Sequence, residues 1–240
     1  MRSSAAQLAA EDSEALLVFS GGFTRAEAGA RSEAGSYWAV ADALGWFGSP
    51  AVAERAVVED RARDSLENLL FSICRLREVS GGYPARVTVV SYDFKRARFL
   101  DIHARALGFP LDKVDFVGTP ALDPQGAHKV RPWPLATCSH EKTGPPCIHS
   151  HLYPRPLQGE AATVKQFEAD PYGCAGELAA KRRERDPFRL GTPTGDRCPA
   201  LKPFLSGRCR SAPFRGPLPW QHSVRDSAPL FRRSAIGTQT

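Results

Sequence analysis

The chain contains no apolar run approaching the ~20 residues that a membrane-spanning helix needs, and its first residues lack the charged-then-apolar pattern of a signal peptide. No internal repeat occurs. Familiar phosphate and nucleophile signatures are missing too: no Gly-Lys-Ser/Thr follows a glycine-rich loop, and neither GxGxxG nor GxSxG occurs. Cysteine is too sparse for a disulfide scaffold, with 6 in 240 residues, which points to reduced thiols and a soluble, cytoplasmic chain. The formal charge of +6 is spread along the sequence and thickens only late, around Lys181-Arg182-Arg183-Arg185. Diffuse charge of that kind names no nucleic-acid partner.

What is present is enough apolar residue, 42% of 240, for one sizeable core. Ala15-Leu16-Leu17-Val18-Phe19 reads as a buried parallel strand stopped by Gly21-Gly22. A helix follows from about Ser32, its N-cap, to Leu44. A second is set by Leu66, Leu69, Leu70, Ile73 and Leu76 at helical spacing and ends at Gly81-Gly82. Arg86 to Ser91 and Val114 to Val117 read as strands, with a helix from Phe94 to Leu107 between them. Alternating strands and helices predict an α/β fold with a doubly wound, mainly parallel sheet in three layers.

Past this core, residues 119–159 are crowded with proline and read as a loop or insertion. Helical patterning returns over 160–185, and 186–240 reads as an irregular, peripheral tail. Cys138, His140, Cys147, His149 and His151 in the insertion are potential zinc ligands. Their spacing fits no zinc module, which favours a metal-free loop.

Three runs fall where strands hand over to helices, the ligand-binding edge of open α/β sheets. In Ser20-Gly21-Gly22, followed by Thr24, the glycines let backbone amides approach an anion. In Glu59 to Asn68, Asp64 reads as a helix cap completed by Glu67, while Asn68 is an indifferent helix former beside the buried stripe and so a site candidate. After Ser91, the cations Lys95, Arg96 and Arg98 crowd the first turn of a helix, where the macrodipole disfavours them, so an anion should offset them.

In this order the runs resemble the α/β domain of unknown function typified by bacterial YdcF, SanA and ElyC, and by uncharacterised eukaryotic relatives. The match spans about Ala15 to Gly118 and rests on Ser20-Gly21-Gly22, Ser32-Glu33-Ala34, Glu59 through Asn68, and Ser91 with Lys95 and Arg98. The resemblance implies a Rossmann-like core over 1–118 and a nucleotide-type ligand, S-adenosylmethionine among the candidates, without naming a reaction. Lys95 stands where bacterial relatives carry His. Relatives also begin with a further inner strand, so this chain is expected to lack it.

The expected pocket therefore takes Ser20, Gly21, Gly22, Thr24, Asp64, Asn68, Ser91, Lys95 and Arg98 as ligand-binding residues. Gly21 and Gly22 would offer amides, Asn68 and Ser91 would orient the ligand, and Lys95 and Arg98 would hold its charge. Glu33, Glu59 or Glu67 would serve as base or metal ligand. The competing expectation is a non-catalytic interaction protein whose polar motifs are caps and core hydrogen bonds; a zinc-stabilised loop protein is the third. None of these fixes an oligomeric state.

Overall fold

A continuous apolar run survives only where both faces of a strand are covered, and every residue of β1 (Ala15–Ser20) is buried. The computed structural model describes residues 5–120, 155–193, 214, 216–222 and 233–237. Within them α1 (Ala5–Glu11) precedes β1, and α2 (Glu33–Ala43), β2 (Ala56–Glu59), α3 (Ser65–Ser80) and β3 (Val87–Tyr92) follow. Helix α4 is π-helical over Arg98–His103 and α-helical over Ala104–Ala106, and leads to β4 (Val114–Thr119). Then come α5 (Arg155–Ala169), α6 (Gly176–Glu184), the single turn α7 (Pro219–His222) and β5 (Arg233–Gly237).

The described strand pairs are all parallel, in the order β2-β1-β5-β3-β4, so the α/β class holds. Alternate residues of β1 face opposite layers: Leu17 and Phe19 pack with α1 and α2, while Leu16 and Val18 meet Leu76 of α3. The main core lies between α3, α4 and the strands β3 and β4, joined by Phe167 and Tyr172. Ser32 caps α2 by accepting from Gly35 N at 3.0 Å, and Gly81, at φ 79°, ends α3 in the left-handed conformation open to glycine.

Two expectations change. The segment 186–240 is not wholly irregular and peripheral: Leu218 and Trp220 are buried in the main core, with Trp220 Nε1 donating to Leu107 O at 2.9 Å. β5 lies in the middle of the sheet, registered on β1 from Ala15↔Arg233 to Phe19↔Gly237 and on β3 from Val87↔Ser234 to Val90↔Gly237. A strand from the carboxyl-terminal part of the chain thus occupies an inner position of the sheet. Sequence patterning misses such a strand because its pairing is made by backbone groups. Reduced thiols were also expected, whereas Cys74, on the buried face of α3, and Cys174 are disulfide-bonded. Pairing depends on the approach of Cα atoms, which composition does not report. No helix among the described residues is long and apolar enough to cross a membrane.

Because β5 is paired on both sides, Ala235→Pro removes a ladder donor and forces a ring against a neighbouring strand. The expected loss is about 3 kcal/mol or more, read as a lower midpoint in denaturant unfolding. An unchanged midpoint would place this segment outside the sheet.

Candidate functional site

The turn after β1 is built by its neighbours. Gly21 N donates to Glu59 O at 3.0 Å and Gly22 N to Ala62 O at 2.7 Å, while their carbonyls accept from Ala34 N and Glu33 N, both at 3.0 Å. The glycines are needed for close approach: a Cβ on Gly21 would lie 2.8 Å from Glu33 Cβ, and one on Gly22 would lie 2.7 Å from Ala62 O. Both amides are therefore spent inside the protein, and the backbone-donor role expected of Gly21 and Gly22 is not open to them. The first amides of α2 are spent in the same way.

Beneath this turn Ser20 Oγ lies 2.5 Å from Glu59 Oε2 and 3.0 Å from Asn68 Oδ1, with one hydrogen to give to either. Glu59 Oε1 accepts from the amides of Arg61 and Ala62 at 2.7 and 3.1 Å. Burial pushes the Glu59 carboxyl up to about 7, although Ser20 and the Arg61 amide pull the other way. Glu59 is thus a buried clamp on the loop after β2.

The amino end of α3 is an ion-pair knot. Asp64 Oδ1 caps the helix through Glu67 N at 2.9 Å, and its Oδ2 takes Arg182 Nε at 2.6 Å. Burial alone would raise the Asp64 carboxyl, but Arg182 and the capped amide hold it below its ordinary value. Glu67 accepts from Arg63 Nε at 2.9 Å and Nη2 at 2.6 Å, and from the Arg63 amide at 2.9 Å. The expected capping box is therefore displaced by one residue: Glu67 reaches back to the amide of Arg63, not of Asp64. Glu67 is saturated and is not a base facing solvent.

Above these layers opens a cleft of about 600 Å³ at the carboxyl ends of β1, β2 and β3, with α5 and α6 as its far wall. Of the expected residues, Thr24, Glu33, Asp64, Asn68, Lys95 and Arg98 line it together, whereas Ser20, Gly21, Gly22, Ser91, Glu59 and Glu67 do not. Thr24 Oγ1 donates to Glu33 Oε1. Asn68 lines the cleft, with its Oδ1 3.0 Å from Ser20 Oγ. Ser91 is fully buried in β3, and its Oγ has no partner among the described residues.

The three cations after β3 separate. Arg96 turns away, donating to Phe116 O at 2.9 Å with its guanidinium 4.9 Å from that ring. Lys95 and Arg98 enter the cleft, 6% and 8% exposed. Lys95 sits by the rings of Tyr92 and Phe94; burial, and next Arg98, push its amine down to about 7. The anion demanded by the run is in part Glu160 of α5, 2.6 Å from Arg98. Burial nevertheless lowers Arg98 and raises Glu160 from their ordinary values, so the desolvation of both ions outweighs their attraction.

The far wall was not marked by any motif. Glu160, Lys181 and Arg185 line the cleft from two helices more than sixty residues beyond Arg98, and only the unbalanced charge of Lys95 and Arg98 pointed to such a group. The zinc candidates Cys138, His140, Cys147, His149 and His151 lie outside the described residues. Among the described residues no cluster of three His, Cys, Asp or Glu could hold a metal ion.

The Glu59 clamp has a measurable signature. In the fold this carboxyl binds its proton up to about 7, but only in the ordinary acid range when unfolded. The native state therefore holds more protons between these values, and stability falls as pH rises through them. Glu59→Gln, which keeps an acceptor for the loop amides, removes that slope. The stability of Glu59→Gln relative to the parent should rise by on the order of 3 kcal/mol at most between about pH 4.5 and pH 7.5. Parallel pH profiles in chemical denaturation would show that Glu59 ionises freely in the fold.

Comparison with known proteins returns no matching family model and no matching solved structure. Over 136 residues the chain is 29% identical to YOR238W, an uncharacterized protein of Saccharomyces cerevisiae, which covers 56% of this chain and 39% of that protein. The chain thus spans well under half of the relative's length, and the relative's name carries no activity.

Proposed function

We propose that the chain binds a small anionic, nucleotide-type ligand in the cleft above β1, β2 and β3. The observation that carries this is Arg98. It is buried and lines the cleft beside the buried Lys95, and one of its nitrogens is paired with Glu160. Two buried cations facing one carboxylate are costly, and an oxyanion in the cleft is the group that offsets them. The wider balance agrees: Arg25, Arg63, Lys95, Arg98, Lys181 and Arg185 line the cleft against Glu33, Asp64 and Glu160.

The resemblance to the YdcF, SanA and ElyC domain supports a Rossmann-like arrangement and keeps S-adenosylmethionine among the ligands to try. It supplies no reaction, and the cleft lacks an unengaged carboxylate among Glu33, Glu59 and Glu67 to act as base. The second reading, an interaction protein whose polar motifs are structural, draws on the saturation of Glu59, Asp64 and Glu67. That saturation accounts for these three residues and not for the burial of two cations, Lys95 and Arg98, at the cleft.

A thermal-shift screen against nucleotides, S-adenosylmethionine and sugar phosphates tests the proposal, since a ligand specific for the native state stabilises by about 2.7 kcal/mol at a hundredfold excess over Kd. The shift should vanish in Asn68→Ala and Arg98→Ala; a shift retained in both would put the ligand elsewhere. Lys95 adds a pH test. Its amine gains a proton as pH falls through about 7, so sulfate, a dianion throughout this range, should bind several-fold tighter at about pH 6 than at about pH 8.5. Lys95→Gln should flatten that dependence.

A further inference from the structure

The cleft contains a donor that no motif marks, and its role rests on the anion reading above. Ser65 opens α3 directly after the Asp64 cap, is 7% exposed and lines the cleft. Its Oγ is 2.8 Å from Nε2 of His103, in the π-helical part of α4. His103 is fully buried, with Phe99 and Phe167 edge-on to its ring at centroid distances of 5.5 and 4.5 Å. Its Nδ1 has no hydrogen-bond partner among the described residues.

These contacts select a tautomer. A neutral imidazole has one N–H donor and one bare acceptor nitrogen. A proton on Nδ1 would leave a buried N–H without an acceptor, whereas a bare Nδ1 leaves only an under-used lone pair, the lesser loss. The proton therefore belongs on Nε2, which donates to Ser65 Oγ. The hydroxyl then has its own hydrogen to place, and Ser65 has no other acceptor among the described residues.

We propose that Ser65 is an anion-binding donor, its oxygen held by His103 Nε2–H and its hydrogen directed into the cleft toward a phosphoryl oxygen. Ser65, Asn68, Lys95 and Arg98 line the cleft together from α3, from α4 and from the turn before α4. This suits the three terminal oxygens of a phosphoryl group. Unlike Lys95, the Ser65–His103 pair keeps its protonation near neutrality. Burial first, then Arg98, holds the His103 imidazole down at about 3, with Asp64 opposing and Arg182 reinforcing. The same weakness argues against Ser65 as a nucleophile, because so poor a base does not draw a proton from a serine hydroxyl.

The test has two arms. Imidazole 15N NMR of the full chain, with His103 assigned through His103→Gln, reads the tautomer without any ligand. A proton on Nε2 alone from about pH 5 to pH 8 supports the proposal, and a proton on Nδ1 overturns it even if an anion binds. In titrations with inorganic pyrophosphate, Ser65→Ala should weaken binding about tenfold and Ser65→Thr should retain it. Equal affinity in Ser65→Ala would overturn the donor role while leaving the anion site standing. Failure of the parent chain to bind pyrophosphate or any ligand of the screen would overturn both. Covalent labelling of Ser65 by a fluorophosphonate would also overturn it, since that requires an activated nucleophile.

Discussion

Everything in this structure depends on the backbone pairing of β5. β1 and β3 do not touch as a strand pair; each is hydrogen-bonded to β5 between them. Without it two parallel edges would face each other with unpaired amides and carbonyls and an opened core. The cleft straddles this join. Thr24, Glu33 and Asn68 belong to the β1 and β2 side, and Lys95 and Arg98 to the β3 side. Helix α3 reinforces the join by packing against β1, β2 and β5, so its amino end, with Asp64 and Ser65, is placed over the middle of the sheet.

Burial then sorts the charges. Each carboxylate expected as a catalytic group is drawn into scaffold work: Glu59 holds the loop after β2, Glu33 takes Thr24, and Glu67 is forked by Arg63. The cations are less completely answered. Arg98 has one partner in Glu160 and one nitrogen without any, and Lys95 is pushed toward neutrality by burial and by Arg98. A site with that imbalance is a place where negative charge lowers the energy of groups already present.

The fold was legible where side-chain periodicity decides it. The stripe from Leu66 to Leu76, the caps Ser32 and Asp64, and the apolar run of β1 all form the elements that their spacing predicts. β5 was illegible because a central strand is recruited by backbone pairing, and the wall from α5 and α6 because no local pattern joins Glu160 to Arg98. The π-helical turn was hidden for a related reason. Arg98 and His103 are five residues apart, on different flanks of an α-helix of about 3.6 residues per turn, but one i→i+5 step brings them onto a shared side. The cleft's charge and its neutral histidine both derive from that turn.

On the proposed function, the pairing of Arg98 with Glu160 also bears on which anions would suit the cleft. An incoming oxyanion would share Arg98 with a carboxylate already 2.6 Å away, and like charges so close disfavour joint ionisation. Burial has already raised Glu160, and an anion bound beside Arg98, as the proposed function requires, would raise it further. Such an anion would have to compete with this carboxylate for the guanidinium, which weighs against ligands that offer a single oxygen and for those that offer several.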